Sequence, residues 1–165
     1  MGDIKFSGFT TGATTANTLI VGYDSVANTN DQYTLAQVAT GLKEHLVESF
    51  IVAASDETTA ITAATDLATF RMPYAFTLTA VRASLTTAGT TSGVTTIDIH
   101  ESGTTILSTK ITIDYDETTS ESAATAPVIS DAALADDAEM TIDVDGISGG
   151  GTEAGLKVTL IGYQT

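Results

Sequence analysis

Hydrophobic and polar residues alternate with a period of two over much of the second half of the chain. The segments 97–100 and 140–145 carry an apolar residue at every second position. Longer apolar runs lie at 76–85 and 156–161, and turn-forming residues separate such segments about every 8–15 residues. A period of two is typical of a strand with one buried face, and short strands at this spacing are typical of a two-sheet fold. The pattern predicts a mainly β protein, with an antiparallel β-sandwich or jelly roll over residues 61–165 rather than a doubly wound α/β fold.

A single short helix is predicted over residues 35–47. Thr34 and Gln37 have the spacing of a capping box, in which the two side chains bind free amides at the start of a helix. Apolar residues then recur three and four positions apart along one narrow stripe, although Gly41 weakens the helix by up to about 1 kcal/mol. We expect this stripe to pack either within the subunit or against a symmetry copy.

Residues 1–34 are rich in Gly, Thr and Asn, and one short strand is plausible at 19–21. We interpret this region as an extended arm that becomes ordered on a partner surface, because free tails rarely carry large apolar side chains. A tail without a partner is the alternative. Arm and helix together make an N-terminal region, residues 1–60, in front of the sandwich at 61–165. The predicted partner-binding residues of the arm and helix are Phe6, Phe9, Leu19, Ile20, Tyr23, Leu35, Val38, Leu42 and Leu46.

Charge and composition narrow the partner classes. The chain has 165 residues, 21 acidic and 6 basic, for a formal net charge of -15, and it contains no Cys. So acidic a surface repels nucleic acid and anionic membranes, and no apolar stretch approaches the ~20 residues of a membrane span. Without Cys there is neither a disulfide framework nor a thiolate metal site. Thr and Ala, at 32 and 23 residues, fill one third of the chain, and Thr suits strands whose outer face meets water.

Candidate chemistry is sparse, and we expect no enzymatic activity, no cofactor and no metal. Asp98 and His100 share one face of a predicted strand and could serve as metal ligands or as a base with its orienting carboxylate. We interpret them instead as part of a solvated strand face. Acidic clusters at 114–121, 136–139 and 143–145 leave a structural Ca²⁺ open, although none matches a calcium-loop pattern. The phosphate-loop motif G-x-x-x-x-G-K-[ST] and the dinucleotide motif G-x-G-x-x-G are missing from the sequence.

Three groups of segments carry a resemblance to a known class of protein. The chain resembles the small Thr- and Ala-rich structural proteins of tailed bacteriophages. Its C-terminal part is similar to a jelly-roll module of phage head-decoration and fibre proteins, and its N-terminal part is similar to the arms that precede such modules. The segments that carry the likeness are 17–23 with 30–38, then 69–84, then 106–111 with 129–137 and 155–160.

The resemblance implies a capsid decoration, or cement, protein. Such proteins bind the major capsid protein on the outer surface of the head, commonly as homotrimers at three-fold or quasi-three-fold sites. Under this hypothesis the chain is made in the host cytoplasm and ends in the virion. The alternative is a tail, fibre or baseplate component with a receptor- or glycan-binding role.

Overall fold

The computed structural model describes residues 19–24, 29–43 and 46–165, with side chains described from Tyr33 onward. The predicted arm residues Phe6 and Phe9 lie outside this part of the chain. The protein divides into two compact units, Met1–Leu42 and Lys43–Thr165. The division therefore comes well before residue 60, where the hydrophobic pattern places it, because the strand that follows residue 47 belongs to the second unit.

The described part of the first unit is a hairpin followed by a helix. Strand β1 (Leu19–Asp24) pairs antiparallel with β2 (Thr29–Thr34), and helix α1 (Leu35–Lys43) follows at once. The strand predicted at 19–21 is confirmed and is longer than expected. Its partner β2 has the sequence TNDQYT, which lacks any apolar alternation, so the pattern could not reveal it. Residues 19–24 and 29–34 are thus two paired antiparallel strands rather than one extended segment.

The start of α1 confirms the predicted capping box. The Gln37 backbone N–H donates to the Thr34 hydroxyl oxygen at 3.1 Å, and the Thr34 backbone N–H donates to Gln37 Oε1 at 2.8 Å. The helix is shorter than predicted, since its described residues end at Lys43 and Leu46 lies outside it in a bend. The Leu46 N–H bonds the Lys43 carbonyl at 3.0 Å, a tight turn that leads into the strand beginning at Glu48.

The second unit is the predicted antiparallel β-sandwich. Its strands are β3 (Glu48–Ala53), β4 (Ala64–Arg71), β5 (Phe76–Ser84), β6 (Val94–Glu101), β7 (Thr104–Thr105), β8 (Leu107–Thr109), β9 (Ile111–Asp114), β10 (Val128–Ile129), β11 (Ala133–Leu134), β12 (Glu139–Gly146) and β13 (Lys157–Gln164), with a 3₁₀ turn at Ser120–Ser122. One sheet has the strand order β11-β5-β13-β3. The other has the order β4-β12-β6-β7, and β9 pairs with the same edge of β6 as β7 does.

The strand pairing is that of a jelly roll. Eight of the described strands form four nested antiparallel pairs, in which β3 pairs with β13, β4 with β12, β5 with β11 and β6 with β9. The first strand of the sandwich therefore meets the last, the second meets the second-last, and so on inward. This is one long hairpin of paired strands wrapped into two facing sheets.

The core lies between the two sheets and follows the predicted alternation. Ile97 and Ile99 of β6 have no exposed surface, and neither do Leu156 and Leu160 around β13. At one end of the core the ring of Phe76 meets the ring of Phe50 edge-on, with centroids 5.1 Å apart. The other large side chains with at most 2% of their surface exposed are Met72, Ile106, Ile111, Ile113, Leu134, Met140 and Ile142.

Strand β13 approaches β5 so closely at one point that only glycine fits. The register shifts between Ile161 and Gly162, which leaves Thr79 as the extra residue of a bulge in β5. A Cβ on Gly162 would overlap the carbonyl oxygen of Thr77 and would press on the Phe76 ring. The backbone at Thr77 cannot yield without disturbing the ladder, so this glycine is required by the packing of the two strands.

Replacing this glycine should destabilise the sandwich. We expect Gly162→Ala to lower the free energy of unfolding by about 2–3 kcal/mol, because the added methyl overpacks a backbone contact. Gly146→Ala is the matched control, since Gly146 also lies in a strand, at the end of β12, and has no atom within 4 Å of an added Cβ. Urea unfolding followed by circular dichroism measures both. Equal stability of the two variants would contradict the close approach.

Candidate functional site

The predicted partner-binding residues of the arm lie partly in the hairpin. Leu19, Ile20 and Tyr23 are all in β1, where they stand opposite Thr34, Tyr33 and Asn30 of β2. The backbone register therefore places these three predicted residues in one paired strand.

The helical stripe is only partly covered by the described residues. No residue of α1 is fully buried; Leu35 and Val38 are partly buried, and Leu42 is 52% exposed. Leu46, predicted as the end of the same stripe, is 63% exposed beyond the end of the helix. The spacing of Leu35, Val38 and Leu42 places them on one face of α1, whereas Leu46 does not belong to that face.

Two further apolar residues were missed by the sequence reasoning. Val47, which follows Leu46 directly, and Ile51, four residues further on, are each 68% exposed. Among the described residues, five of the eight exposed large hydrophobic side chains fall within residues 33–51. We refer to residues 46–51 as the 46–51 segment. No periodic pattern marks this segment, because Glu48 and Ser49 interrupt its apolar residues.

A cluster of charged residues occupies the outer face of the sheet that contains β6 and β12. Asp98 of β6 stands directly opposite Asp143 of β12 in the strand register. His100 lies between the two acids, with Nε2 3.6 Å from Asp98 Oδ2 and Nδ1 3.6 Å from Asp143 Oδ2. Lys110 Nζ lies 3.0 Å from Asp98 Oδ2 and 2.5 Å from Asp145. We call these five residues the acid–histidine cluster.

Asp98 is buried, so the prediction of a solvated strand face is wrong at this position. Only 1% of its surface is exposed, because the side chains around it cover the carboxylate. Its Oδ1 accepts hydrogen bonds from the Thr105 hydroxyl at 2.7 Å and from the Ile99 N–H at 2.8 Å. Burial by itself raises the pKa of Asp98, but the bonds from Thr105, Lys110 and Ile99 outweigh it and hold that pKa below its usual range.

Bulges on both sides of β12 shape the cluster. In β4 the register against β12 is irregular between Ala68 and Ala64, and Asp66 there has a φ of 52°. This left-handed residue turns its N–H toward Asp143 Oδ1, at 2.9 Å. On the other side, the register shift after Val144 leaves Asp145 as an extra residue, and Asp145 bonds Lys110. Both bulges therefore aim a group into the network.

A shallow cleft of about 280 Å³ lies beside the cluster, lined by Thr65, Asp66, His100, Gly103, Thr141 and Asp143. Among the described residues, no group of three or more His, Cys, Asp or Glu side chains could hold a metal ion. The charged side chains of the acid–histidine cluster act on one another electrostatically. Two carboxylates directly opposite each other repel, and the flanking Lys110 offsets that repulsion through its ion pairs with Asp98 and Asp145.

A second buried acid ties the loop before β13 to the start of β6. Glu153 has no exposed surface, and its Oε1 accepts hydrogen bonds from the hydroxyls of Ser148 and Thr95, the latter at 3.2 Å. The Thr91 N–H donates to the Gly149 carbonyl at 3.0 Å, and the Gly149 N–H donates to the Ser92 carbonyl at 2.9 Å. The Gly-rich tip at 148–152 is thus held by backbone bonds to the 91–92 turn and, through Ser148, by a buried carboxylate. Sequence reasoning missed Glu153 because it is an isolated acid in a polar loop.

Comparisons with known proteins add no identification. No protein-family model matches the chain, and no curated protein or solved structure was found to be similar to it. Among the described residues, no helix has the length and apolar character needed to cross a membrane. The bacteriophage resemblance therefore stays a prediction, and the functional argument depends on the geometry of this chain.

Removing the Asp98 charge should destabilise the protein in a pH-dependent way. We expect Asp98→Asn to lose about 1.5–3 kcal/mol at pH 7, the range for hydrogen bonds to charged groups. Because the folded pKa is depressed, the contribution of Asp98 is full above the unfolded pKa of about 4 and is lost as the pH falls through the lower folded value. Urea unfolding at pH 7 and near pH 3 tests this.

The control for that experiment is Asp136→Asn, since Asp136 is an exposed loop carboxylate. It should change the unfolding free energy by less than about 0.5 kcal/mol. If the gap between Asp98→Asn and the parent protein were the same at both pH values, the charged form of Asp98 would not be what stabilises the sheet.

Proposed function

We propose that this protein is a non-enzymatic phage capsid decoration protein that binds the outer surface of the head through its N-terminal region and the 46–51 segment. The observation that carries the proposal is the concentration of exposed apolar side chains in residues 33–51 of an otherwise acidic chain. The phrase-level resemblance to phage virion proteins supplies the kind of partner, which is the major capsid protein.

The distribution of exposed apolar and charged residues fits a protein that stabilises a shell by binding to it. Leu46, Val47 and Ile51 expose apolar surface whose removal from water favours binding by about 25 cal/mol per Å². The charge of -15 opposes non-specific sticking elsewhere. A ligand that binds only the assembled shell stabilises it by mass action, which is the role of a cement protein.

The other functional classes have less support in the described residues. The acid–histidine cluster couples its acids to Lys110 and His100 and has no activated nucleophile beside it. The loops at 86–93 and 146–153, at one end of the sandwich, contain no aromatic side chain on which a sugar could stack. These features favour a shell-binding role over an enzyme or a glycan-binding fibre tip.

Capsid binding should depend on the exposed apolar residues. We expect the double variant Leu46→Ser, Val47→Ser to lose at least tenfold in affinity for expanded capsids, measured by co-sedimentation. Val128→Ser is the matched control, because Val128 is 50% exposed in β10, far along the chain. The control should bind normally. Unchanged binding of the double variant, with its unfolding curve intact, would remove the 46–51 segment from the interface.

Deletion of residues 1–18 tests the arm separately, because every described strand and helix remains in the truncated chain. If the arm contributes to capsid binding, the truncated protein stays folded and binds capsids more weakly, because the arm residues Phe6 and Phe9 have been removed. Normal co-sedimentation of the truncated protein would contradict a role for the arm.

A further inference from the structure

His100 lies between two carboxylates that belong to neighbouring strands. In the register of β6 and β12, Asp98 stands opposite Asp143 and His100 stands opposite Thr141, so His100 is the diagonal neighbour of Asp143. Its Nε2 lies 3.6 Å from Asp98 Oδ2, and its Nδ1 lies 3.6 Å from Asp143 Oδ2. The imidazole ring is therefore placed to join the two acids through its two nitrogen atoms.

Other groups hold the two carboxylates in place. Asp98 Oδ1 accepts a hydrogen bond from the Thr105 hydroxyl at 2.7 Å, and Asp143 Oδ1 accepts one from the Asp66 N–H at 2.9 Å. Neither a hydroxyl nor a backbone amide changes its charge at ordinary pH. Each acid thus binds a fixed donor with one oxygen and directs the other oxygen toward the ring of His100.

The hydrogen bonds of the ring are incomplete at these distances. Nδ1 of His100 is buried and has no hydrogen-bond partner. Hydrogen bonds between a charged nitrogen and a carboxylate are about 2.7–2.9 Å long, so the ring lies slightly too far from both acids to be bonded to either. A neutral imidazole has one N–H donor and one acceptor nitrogen, and the acceptor repels a carboxylate that faces it. An imidazolium has two donors, one for each acid.

The charges around the ring are mostly negative. Among the described residues they are Asp98 on β6, Asp143 and Asp145 on β12, Asp66 on β4 and Lys110 just before β9. Strand β7, which pairs with β6 at His100, contains only threonine. The other acids of β6 and β12 are bound elsewhere, Glu101 to the Ala135 N–H and Glu139 to Arg71. Carboxylates within about 4 Å favour the charged form of a base.

We propose that His100 is a proton-dependent bridge between β6 and β12. When the ring binds a proton, its two N–H groups donate to Asp98 and Asp143, and its positive charge offsets the repulsion between these opposite acids. When the ring loses the proton, one of the two bonds is lost and the repulsion returns. The bridge therefore stabilises the protein at low pH, and its contribution is lost as the pH rises through the range in which histidine titrates, about pH 5 to 8.

The position of the bridge gives it influence over one whole sheet. Strands β12 and β6 are the two inner strands of the order β4-β12-β6-β7. A change in the attraction between them acts on the centre of that sheet rather than on its periphery. The inference does not depend on the proposed function, because it concerns contacts within the sandwich only.

Urea unfolding of the full chain at two pH values tests the bridge. We expect His100→Gln to raise the unfolding equilibrium constant about fivefold at about pH 5 and less than about twofold at about pH 8, because glutamine stays neutral at both and paired charges at a partly exposed site contribute at this level. The chain has one other histidine, His45. His45→Gln is the matched control and should shift the constant by the same factor at both pH values.

A second substitution tests the partner of the ring. Asp143→Asn keeps an oxygen for the Asp66 N–H but removes the charge that the imidazolium binds. In the Asp143→Asn background, His100→Gln should therefore have nearly the same effect at both pH values. Such a double-mutant cycle isolates the coupling between the two side chains.

Hydrogen exchange followed by NMR tests the same bridge in the unaltered protein, even if a variant fails to fold. The ring signals of His100 are assigned by comparison with His45→Gln. As the pH falls, the protection of the β6–β12 amides, corrected for the intrinsic exchange rate, should rise at the midpoint of the His100 titration.

Three results would overturn the bridge. The first is an equal effect of His100→Gln at the two pH values. The second is a larger effect at the higher pH, which would show that the neutral ring is the stabilising form. The third is amide protection between β6 and β12 that stays constant while the ring of His100 titrates.

Discussion

The sandwich depends on the insertion of β13 between β3 and β5. This last strand is the only bridge between the β3 edge and the rest of its sheet, and Val158 and Leu160 bring it into the core without exposed surface. The insertion requires the backbone to pass close to Thr77, so the sequence has a glycine at residue 162. Because the first and last strands of the domain pair, the jelly roll closes only when nearly the whole chain is in place.

The carboxylates of the chain have different surroundings on the surface and in the interior of the sandwich. Most acids stand on loops and outer faces, but Asp98, Asp143 and Glu153 are buried or nearly so. Each of these three accepts hydrogen bonds from neighbouring hydroxyl or amide groups, which offset the cost of removing a carboxylate from water. The many Thr residues therefore do more than wet the outer faces of strands, since Thr95 and Thr105 bind buried acids directly.

The same frame decides where the molecule can meet others. Five of the eight described large apolar side chains that stay exposed lie within residues 33–51. Leu46, Val47 and Ile51 precede or belong to β3, which among the described strands pairs only with β13. A concentration of exposed apolar side chains is typical of a surface that binds another protein.

The sequence by itself determined the β class, the main strands, the core positions and the cap of the helix, because these depend on periodicity and on contacts within four residues. It determined that the chain is acidic and without thiols. Only the tertiary structure decided that β2 pairs with β1, that Asp98 is buried, that Glu153 is bound by Thr95 of β6 and that β3 pairs with β13. Each of these depends on residues far apart in sequence, whose proximity no local pattern encodes. The register between strands, set by bulges and by Gly162, is what brings them together.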